Sequence, residues 1–255
     1  MRQTIVILHC MFEALRNVRG SNGLGYISMN PFILVREMAT VDDEDEIEEA
    51  LSQDEWAEVL ITIEALPKDT SRDLAHYHRA RWLFQLLYRA FLRRDEAAQL
   101  KMGNFIESAD GWDLKFIGKG QKKARIVATT KLMGELRVYR LFHGLPAFPS
   151  PGEDRPALLS VNGKDQPVGD QLIYLICKEI FQATADRIET TKPASAAYLR
   201  KASPHWMRHT GITHSLEEGI DPRYVQAQAR HASLSTTARY DHKERKRWRE
   251  QLERV

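Results

Sequence analysis

The sequence predicts a mainly α-helical fold with one small antiparallel β-sheet, that is, an α+β domain. Apolar residues recur at intervals of three and four over most of the 255-residue chain, which is the repeat of amphipathic helices. Residues 104–128 depart from this repeat, because short apolar runs alternate there with the turn signals Asp110-Gly111 and Gly118-Lys119-Gly120. Hydrophobic residues make up 43% of the chain, which is enough to bury a substantial core.

The chain begins with a predicted amphipathic helix over residues 3–17. Four apolar residues there follow helical spacing: Ile5, Leu8, Phe12 and Leu15. A glycine-rich stretch ends the pattern, and Asn30-Pro31 then signals a turn.

Acidic residues are concentrated in the stretch that follows. Residues 42–64 hold eleven Asp and Glu and no Lys or Arg, although the whole chain has a formal net charge of only +2. The rest of the chain therefore carries 37 basic and 24 acidic residues, a formal charge of +13. We interpret the densest part of the run, within residues 41–51, as a solvated acidic linker. The basic remainder favours a polyanionic partner such as nucleic acid.

Composition argues against secreted and membrane classes. Cys10 and Cys177 lie far apart and lack metal-ligand spacing, which favours a reducing, intracellular setting. No apolar run reaches the length that a membrane crossing requires.

The first helices after the linker carry clear start signals. Ser52 and Glu55 predict a capping box, and Trp56 lies on the apolar face of the helix that it opens. A long helix is predicted over residues 72–91, and a short one from Glu96 to Leu100.

A sheet and four further helices complete the predicted order. The strands are predicted at residues 104–107, 112–117 and 124–128. The helices are predicted at residues 131–143, 171–185, 205–217 and 222–229, the last with Asp221 as its N-cap. Leu172, Leu175 and Ile176 are expected to face the core, and residues 190–197 are expected to form a loop.

The densest group of reactive side chains lies between Ser203 and His242. His205 and Arg208 stand three residues apart in S-P-H-W-M-R-H-T, hence on one face of a helix. His231 and Tyr240 follow in A-R-H-A-S-L-S-T-T-A-R-Y-D-H. Arginine matches phosphate oxygens, histidine transfers protons near neutral pH, and tyrosine can act as a covalent nucleophile. The set is suited to phosphoryl transfer.

This pattern resembles the catalytic half of the tyrosine recombinase (phage integrase, Xer-type) family. In that family an H-x-x-R, a second His or Trp, and a Tyr nine residues later form the active site. F-L-R-R-D-E-A-A-Q-L resembles the family's first-arginine motif and implies Arg93 with Glu96 as its acidic companion. Arg94 is adjacent, but Arg93 keeps the three-residue step to Glu96. F-I-G-K-G-Q-K-K-A-R-I-V resembles the family's β-hairpin and implies Lys119 as a catalytic lysine.

The resemblance also implies a domain organisation. Residues 1–40 would be the last helix of an N-terminal core-binding domain, followed by the linker at 41–51. Residues 52–242 would form the catalytic domain, and 243–255 a C-terminal tail that docks on a neighbouring subunit. One departure concerns the residue before His231, since the family commonly has Leu-Gly where this chain has Ala229-Arg230.

The implied function is site-specific DNA recombination or integration through a 3′-phosphotyrosine intermediate, without metal or ATP. The resemblance implies six catalytic residues, which are Arg93, Lys119, His205, Arg208, His231 and Tyr240. The implied partners are double-stranded DNA and three further copies in a homotetramer. The protein would then be cytoplasmic and associated with the nucleoid when bound to DNA.

Other functions stay open at this point. A type IB topoisomerase uses the same residues to relax DNA, and a degenerate family member would bind DNA without cutting it. A zinc site on His205, His209 and His214 is disfavoured, because a zincin needs H-E-x-x-H and Trp206 stands where the Glu belongs. No metal, cofactor or membrane is therefore expected.

Overall fold

The computed structural model describes residues 49–118, 122–161 and 165–230, together with positions 8, 11, 12, 14–16, 18 and 27. The chain divides into two compact units, Met1–Glu48 and Glu49–Val255. In the first unit the described residues at 8, 11, 12 and 14–16 are helical, as the predicted helix over residues 3–17 requires.

The second unit is mainly helical with one three-stranded antiparallel sheet, so the predicted fold class is confirmed. Its described helices are α1 (Gln53–Glu64), α2 (Ser71–Ala90), α3 (Arg94–Gln99), α4 (Thr130–Phe142), α5 (Asp170–Ile188), α6 (Pro193–Lys201), α7 (Pro204–Glu217) and α8 (Pro222–Ala229). The strands are β1 (Phe105–Ser108), β2 (Gly111–Gly118) and β3 (Lys122–Ala128), in the order β1-β2-β3. Among the described residues, no helix combines the length and apolarity that a membrane crossing requires.

Helix α2 is the centre of the fold. It packs against α7, α4, α1 and α5, and every residue from Trp82 to Leu87 is buried. Because this segment is buried on all sides, five of its six residues are apolar, and Gln85 is the exception. Its start is fixed by a capping box between Thr70 and Asp73, whose side chains accept hydrogen bonds from each other's backbone N–H.

The sheet is a meander whose inner face joins the same core. Leu114 pairs with Phe105 on one side and with Ile126 on the other, and all three side chains are buried. Phe105 lies 6.1 Å from the ring of Trp82 on α2. The hairpin between β2 and β3 closes at the pair Gly118 and Lys122, close to the position predicted from the turn signals.

Two predictions in the C-terminal half were wrong. Residues 190–197 were expected to be a loop, but α6 begins at Pro193 and runs to Lys201. Proline is favoured at the first helical position, and the alanine-rich sequence after it has high helix propensity. Ala196 and Leu199 are fully buried on the inner face of this helix, which packs against α5.

The second error concerns which face of α5 is buried. Leu172 and Leu175 were expected to face the core but are 37% and 52% exposed. Ile173 is fully buried instead, together with Ile176, which was predicted correctly. Leucines and isoleucines form two parallel apolar stripes on this helix, so spacing alone did not identify the inner one.

Candidate active site

The carboxyl end of α2 is the structural anchor of the site. Phe91 ends the helix in a left-handed conformation, with φ 49° and ψ 38°. A non-glycine residue in this region costs about 1 kcal/mol, and such strain is found preferentially at functional sites. Among the described residues, Arg230 at φ 58° is the one other non-glycine with positive φ, and its guanidinium contacts the same Phe91 carbonyl.

Arg208 lies on α7 and is only 2% exposed. One Nη donates to the carbonyl of Phe91 and the other to the carbonyl of Ala229, which are at the carboxyl ends of α2 and α8. Carbonyls at a helix carboxyl end lack helical partners and carry partial negative charge. The two helix ends therefore stabilise a buried guanidinium and fix its orientation.

Gly211 allows α7 to come close enough for these bonds. A Cβ at this position would lie 2.1 Å from the Tyr88 carbonyl oxygen and 2.7 Å from Cε1 of Phe91. No real Cβ contact is that short, so any larger residue would push α7 away from α2.

Arg93 lies at the N-cap of α3, two residues beyond Phe91. Its backbone N–H donates to Oε2 of Glu96 at 2.8 Å, and its Nη1 donates to Oε1 at 3.2 Å. The side chain of Glu96 is 1% exposed, whereas that of Arg93 is 33% exposed. The buried carboxylate thus orients a guanidinium that solvent, and hence a ligand, can reach.

Arg230 completes the group around Glu96. It donates to Oε2 of Glu96 at 2.6 Å and to the Phe91 carbonyl at 3.2 Å, and its guanidinium lies 4.9 Å from the centroid of the Phe116 ring. Its side chain is 14% exposed. Burial lowers the pKa of Arg230, while the carboxylate of Glu96 acts in the opposite direction and the charge of Arg93 lowers it further.

His205 lies one turn before Arg208 on α7, and its side chain is exposed. Its ring packs edge-to-face against the ring of His209, with centroids 4.2 Å apart. His209 is 6% exposed, so it supports the exposed His205 from within the helix packing.

His214, the third histidine of α7, has a structural position. Its Nδ1 is 3.0 Å from the hydroxyl of Tyr88, and its Nε2 is 2.9 Å from the carbonyl of Leu51. Burial lowers the pKa of His214 and raises that of Tyr88 to about 12. Both ring nitrogens of His214 are engaged, which removes it from the zinc set considered above. Among the described residues, no three His, Cys, Asp or Glu side chains gather closely enough to hold a metal ion.

Gln228 connects α8 to the sheet. Its amide oxygen accepts from the N–H of Val127 at 3.0 Å, and its amide nitrogen donates to the Val127 carbonyl at 2.9 Å. The side chain therefore continues the hydrogen bonding of β3, the strand that returns from the hairpin on which Lys119 was predicted.

The structure brings together three of the predicted residues, Arg93, Glu96 and Arg208, around the Phe91 carbonyl and Arg230. His205 extends from the same helix as Arg208. Lys119, His231 and Tyr240 lie outside the described residues, and so does the predicted tail at 243–255. Their roles stay predictions.

The group of Arg93, Glu96 and Arg208 lies in a region of the chain that matches a known protein family. Residues 51–247 match the model of the phage integrase family. The chain belongs to that family. The match spans all six residues for which catalytic roles are predicted, and it confirms the resemblance drawn from the sequence motifs.

Relatives of this integrase-family chain are named as recombinases. It is 29% identical over 179 residues to tyrosine recombinase XerC of Staphylococcus haemolyticus, covering 70% of this chain and 52% of the relative. It is 32% identical over 178 residues to tyrosine recombinase XerD of Neisseria meningitidis serogroup A, covering 67% and 52%. The chain therefore spans about half the length of the curated relatives it matches.

Solved structures confirm the integrase-family fold. The XerH site-specific recombinase, bound to a palindromic difH substrate in a post-cleavage complex, superposes with a TM-score of 0.67 at 19% identity, covering 98% of this chain and 65% of that one. The Tn1549 transposon integrase in complex with transposon right end DNA has a TM-score of 0.51 at 17% identity, covering 84% and 67%.

From the sequence, Arg230 was noted as a departure from the family pattern that could strain the helix exit or contact phosphate, but its bonds to Glu96 and Phe91 were not predicted, and Gln228 was missed. Arg230 had a signal, because a charged residue replaces the glycine that the family commonly has before the second histidine. Gln228 had no comparable signal, since a polar residue on a short helix is most often solvated.

Proposed function

We propose that this chain is the catalytic part of a site-specific DNA recombinase or integrase, which cleaves and rejoins double-stranded DNA through a 3′-phosphotyrosine. The observation that carries the proposal is the convergence of Arg93, Glu96 and Arg208 at the end of α2, in a chain of the phage integrase family. The basic charge outside the acidic stretch supports DNA as the partner.

Both arginines would bind oxygens of the scissile phosphate, from guanidinium groups that differ in exposure. Arg93 offers a partly exposed guanidinium oriented by a buried carboxylate, and Arg208 offers a buried one held by two helix ends. Displacement at phosphorus increases the charge on the non-bridging oxygens, and a preorganised donor to such an oxygen typically contributes about 3 kcal/mol of transition-state stabilisation. His231 would donate a further hydrogen bond to the same oxygens.

Three residues would move the bonds and protons. The Tyr240 oxygen forms a bond to phosphorus as the bond from phosphorus to the 5′ oxygen breaks. His205 takes the proton of the Tyr240 hydroxyl, and Lys119 gives a proton to the leaving 5′ oxygen. Attack by a 5′-hydroxyl of another strand reverses these steps. Since one phosphodiester replaces another, no ATP is needed, and the arginines would supply the positive charge that a metal ion supplies in other phosphoryl-transfer enzymes.

Strand exchange requires several active sites, so we propose that the protein acts as a homotetramer on DNA, in the cytoplasm and on the nucleoid. We also propose that the 243–255 tail docks on a neighbouring copy, as the family resemblance implies. Mass photometry with and without bound DNA would show whether four copies assemble.

Capture of covalent protein–DNA adducts tests the proposal. The protein is incubated with genomic DNA fragments and denatured in SDS, and the DNA that stays attached is sequenced. The matched variants are Tyr240→Phe, which removes the proposed nucleophile, and Tyr224→Phe, which removes a hydroxyl from a 69% exposed tyrosine on α8. We expect adducts at a defined sequence that disappear in Tyr240→Phe and persist in Tyr224→Phe.

Other results would identify the alternatives. Adducts that depend on Tyr240 but scatter over the DNA would favour a type IB topoisomerase. If DNA binding is retained but neither the wild type nor the variants form adducts, the chain is a non-cutting DNA-binding member of the family.

A further inference from the structure

The Arg230 backbone adopts a conformation that glycine would adopt without strain. Its φ of 58° lies in the left-handed region, directly after the last residue of α8. Glycine is the usual residue at this helix position because it has no Cβ to clash. An arginine here has a backbone cost, so the contacts of its side chain must compensate for it.

The guanidinium of Arg230 donates hydrogen bonds to the groups that orient the two predicted catalytic arginines. Glu96 accepts from Arg230 at 2.6 Å and from the backbone and side chain of Arg93. The Phe91 carbonyl accepts from Arg230 at 3.2 Å and also from Arg208. Arg230 therefore donates to an acceptor of each of the two arginines.

The environment of Arg230 makes these contacts rigid. A further bond runs from its Nη1 to the Gln228 carbonyl at 3.2 Å, and the ring of Phe116 on β2 lies against its guanidinium. With 14% exposure the side chain cannot sample alternatives freely. These contacts connect the end of α8 to β2, to the end of α2 and to α3.

Charge gives the arrangement a second consequence. Arg93 and Arg230 pair with the carboxylate of Glu96, and Arg208 donates to the Phe91 carbonyl, so these four residues carry a formal charge of +2. A phosphodiester placed at Arg93 would meet this excess positive charge. Charge held in a fixed geometry stabilises a developing anion without reorganisation during the reaction.

We propose that Arg230 is a positioning residue of the active site, which holds Glu96 and the Phe91 carbonyl so that Arg93 and Arg208 engage the scissile phosphate together. The inference rests on the proposed function of this chain. Arg230 acts through the groups that it orients.

The test compares Arg230→Gly, Arg230→Lys and Glu96→Gln with the wild type. Arg230→Gly removes the whole side chain but suits the left-handed backbone, so the fold should be retained. Arg230→Lys restores one charge without the planar fork of donors. The matched control is Arg81→Met, which removes another partly buried arginine from ion pairs with Glu64 and Glu135, away from the site.

Single-turnover cleavage is measured at saturating DNA, on a site recovered by adduct capture. We expect Arg230→Gly to cleave on the order of 10- to 100-fold more slowly, because small misplacement of a catalytic group has effects of this size. The Kd for DNA, measured in the Tyr240→Phe background, should change less than about threefold, since substrate binding relies on many phosphate contacts. Arg230→Lys should recover part of the rate. Arg81→Met should lower the Tm and leave the rate at saturation unchanged.

A double variant tests the route through Glu96. If Arg230 acts by holding Glu96, then Arg230→Gly combined with Glu96→Gln should be little slower than Glu96→Gln alone. A rate for Arg230→Gly within twofold of the wild type would overturn the inference, and so would full additivity in the double variant. Absence of any Tyr240-dependent adduct from the wild type would instead overturn the proposed function, and the inference with it.

Discussion

Replacing Gly211 by alanine tests the geometry on which the whole site depends. The added Cβ would lie 2.1 Å from the Tyr88 carbonyl oxygen and within 2.8 Å of two carbons of the Phe91 ring. An ordinary contact to a Cβ begins near 3.4 Å, so the overlap with Tyr88 exceeds 1 Å. Because the clash is with backbone, no side-chain rotation can relieve it, and α7 must move away from α2.

The expected cost follows from two opposing effects. Alanine is favoured over glycine inside a helix by about 1 kcal/mol. Overpacking of a core typically costs about 1–3 kcal/mol, and a backbone clash belongs at the upper end of that range. The net loss is about 2 kcal/mol, which in a domain of this size lowers the Tm by roughly 4–8 °C. Separation of α7 from α2 would also lengthen the bond from Arg208 to the Phe91 carbonyl and slow DNA cleavage.

The chain contains its own control for this experiment. Gly134 lies inside α4, and a Cβ there would meet nothing within 4 Å. Gly134→Ala should therefore show only the preference of a helix interior for alanine over glycine, and it should raise the Tm by about 2–4 °C. Thermal unfolding followed by circular dichroism measures both variants. If Gly211→Ala is as stable as Gly134→Ala, the close approach of α7 and α2 is refuted, and so is the account of how Arg208 is held.

Two further predictions concern stability. Arg140→Met should cost on the order of 3 kcal/mol, because Glu153 loses both hydrogen bonds from a guanidinium that is 1% exposed, and a loss below 1 kcal/mol in urea unfolding would contradict this. The second prediction concerns pH. Burial lowers the pKa of folded His214 below its ordinary value of 6.5, so below that pH the unfolded state binds more protons and stability falls. The Tm should therefore decrease from pH 7 to pH 5.5, and His214→Gln should flatten that slope; an unchanged slope would exclude His214 as a source.

Side-chain signals at helix starts were sufficient to predict much of the fold. The capping box of Ser52 and Glu55 is present at the start of α1, and Asp221 caps α8 through a bond from the Arg223 N–H. These signals are reliable because the groups that satisfy the first N–H donors are side chains, which the sequence displays. The start of α6 lacks such a bond at Lys192, but so do the starts of α5 and α7, which were predicted from the spacing of their apolar residues.

The buried faces of helices were less predictable than their existence. On α5, Leu175 and Ile176 are adjacent, and each belongs to an apolar stripe with helical spacing. Their exposures are 52% and 1%, a difference that arises from how α5 sits against α1, α3 and α6. Periodicity identifies a helix from local spacing, but the choice between two apolar faces depends on neighbours that are distant in sequence.

The candidate site shows the same contrast between features that the local sequence predicts and features that depend on distant neighbours. The sequence displays the arginines, but the groups that hold Arg208 are the backbone carbonyls of Phe91 and Ala229, which leave no signature in any motif. Each of these helix ends carries a partial negative charge of about half an elementary charge, so the two ends stabilise the buried cation without adding an ionised side chain. Glu96, the carboxylate in the group, is shared between Arg93 and Arg230. The arrangement therefore fixes the guanidinium groups in place and keeps an excess of positive charge, which is the combination that stabilisation of a phosphoryl transition state requires.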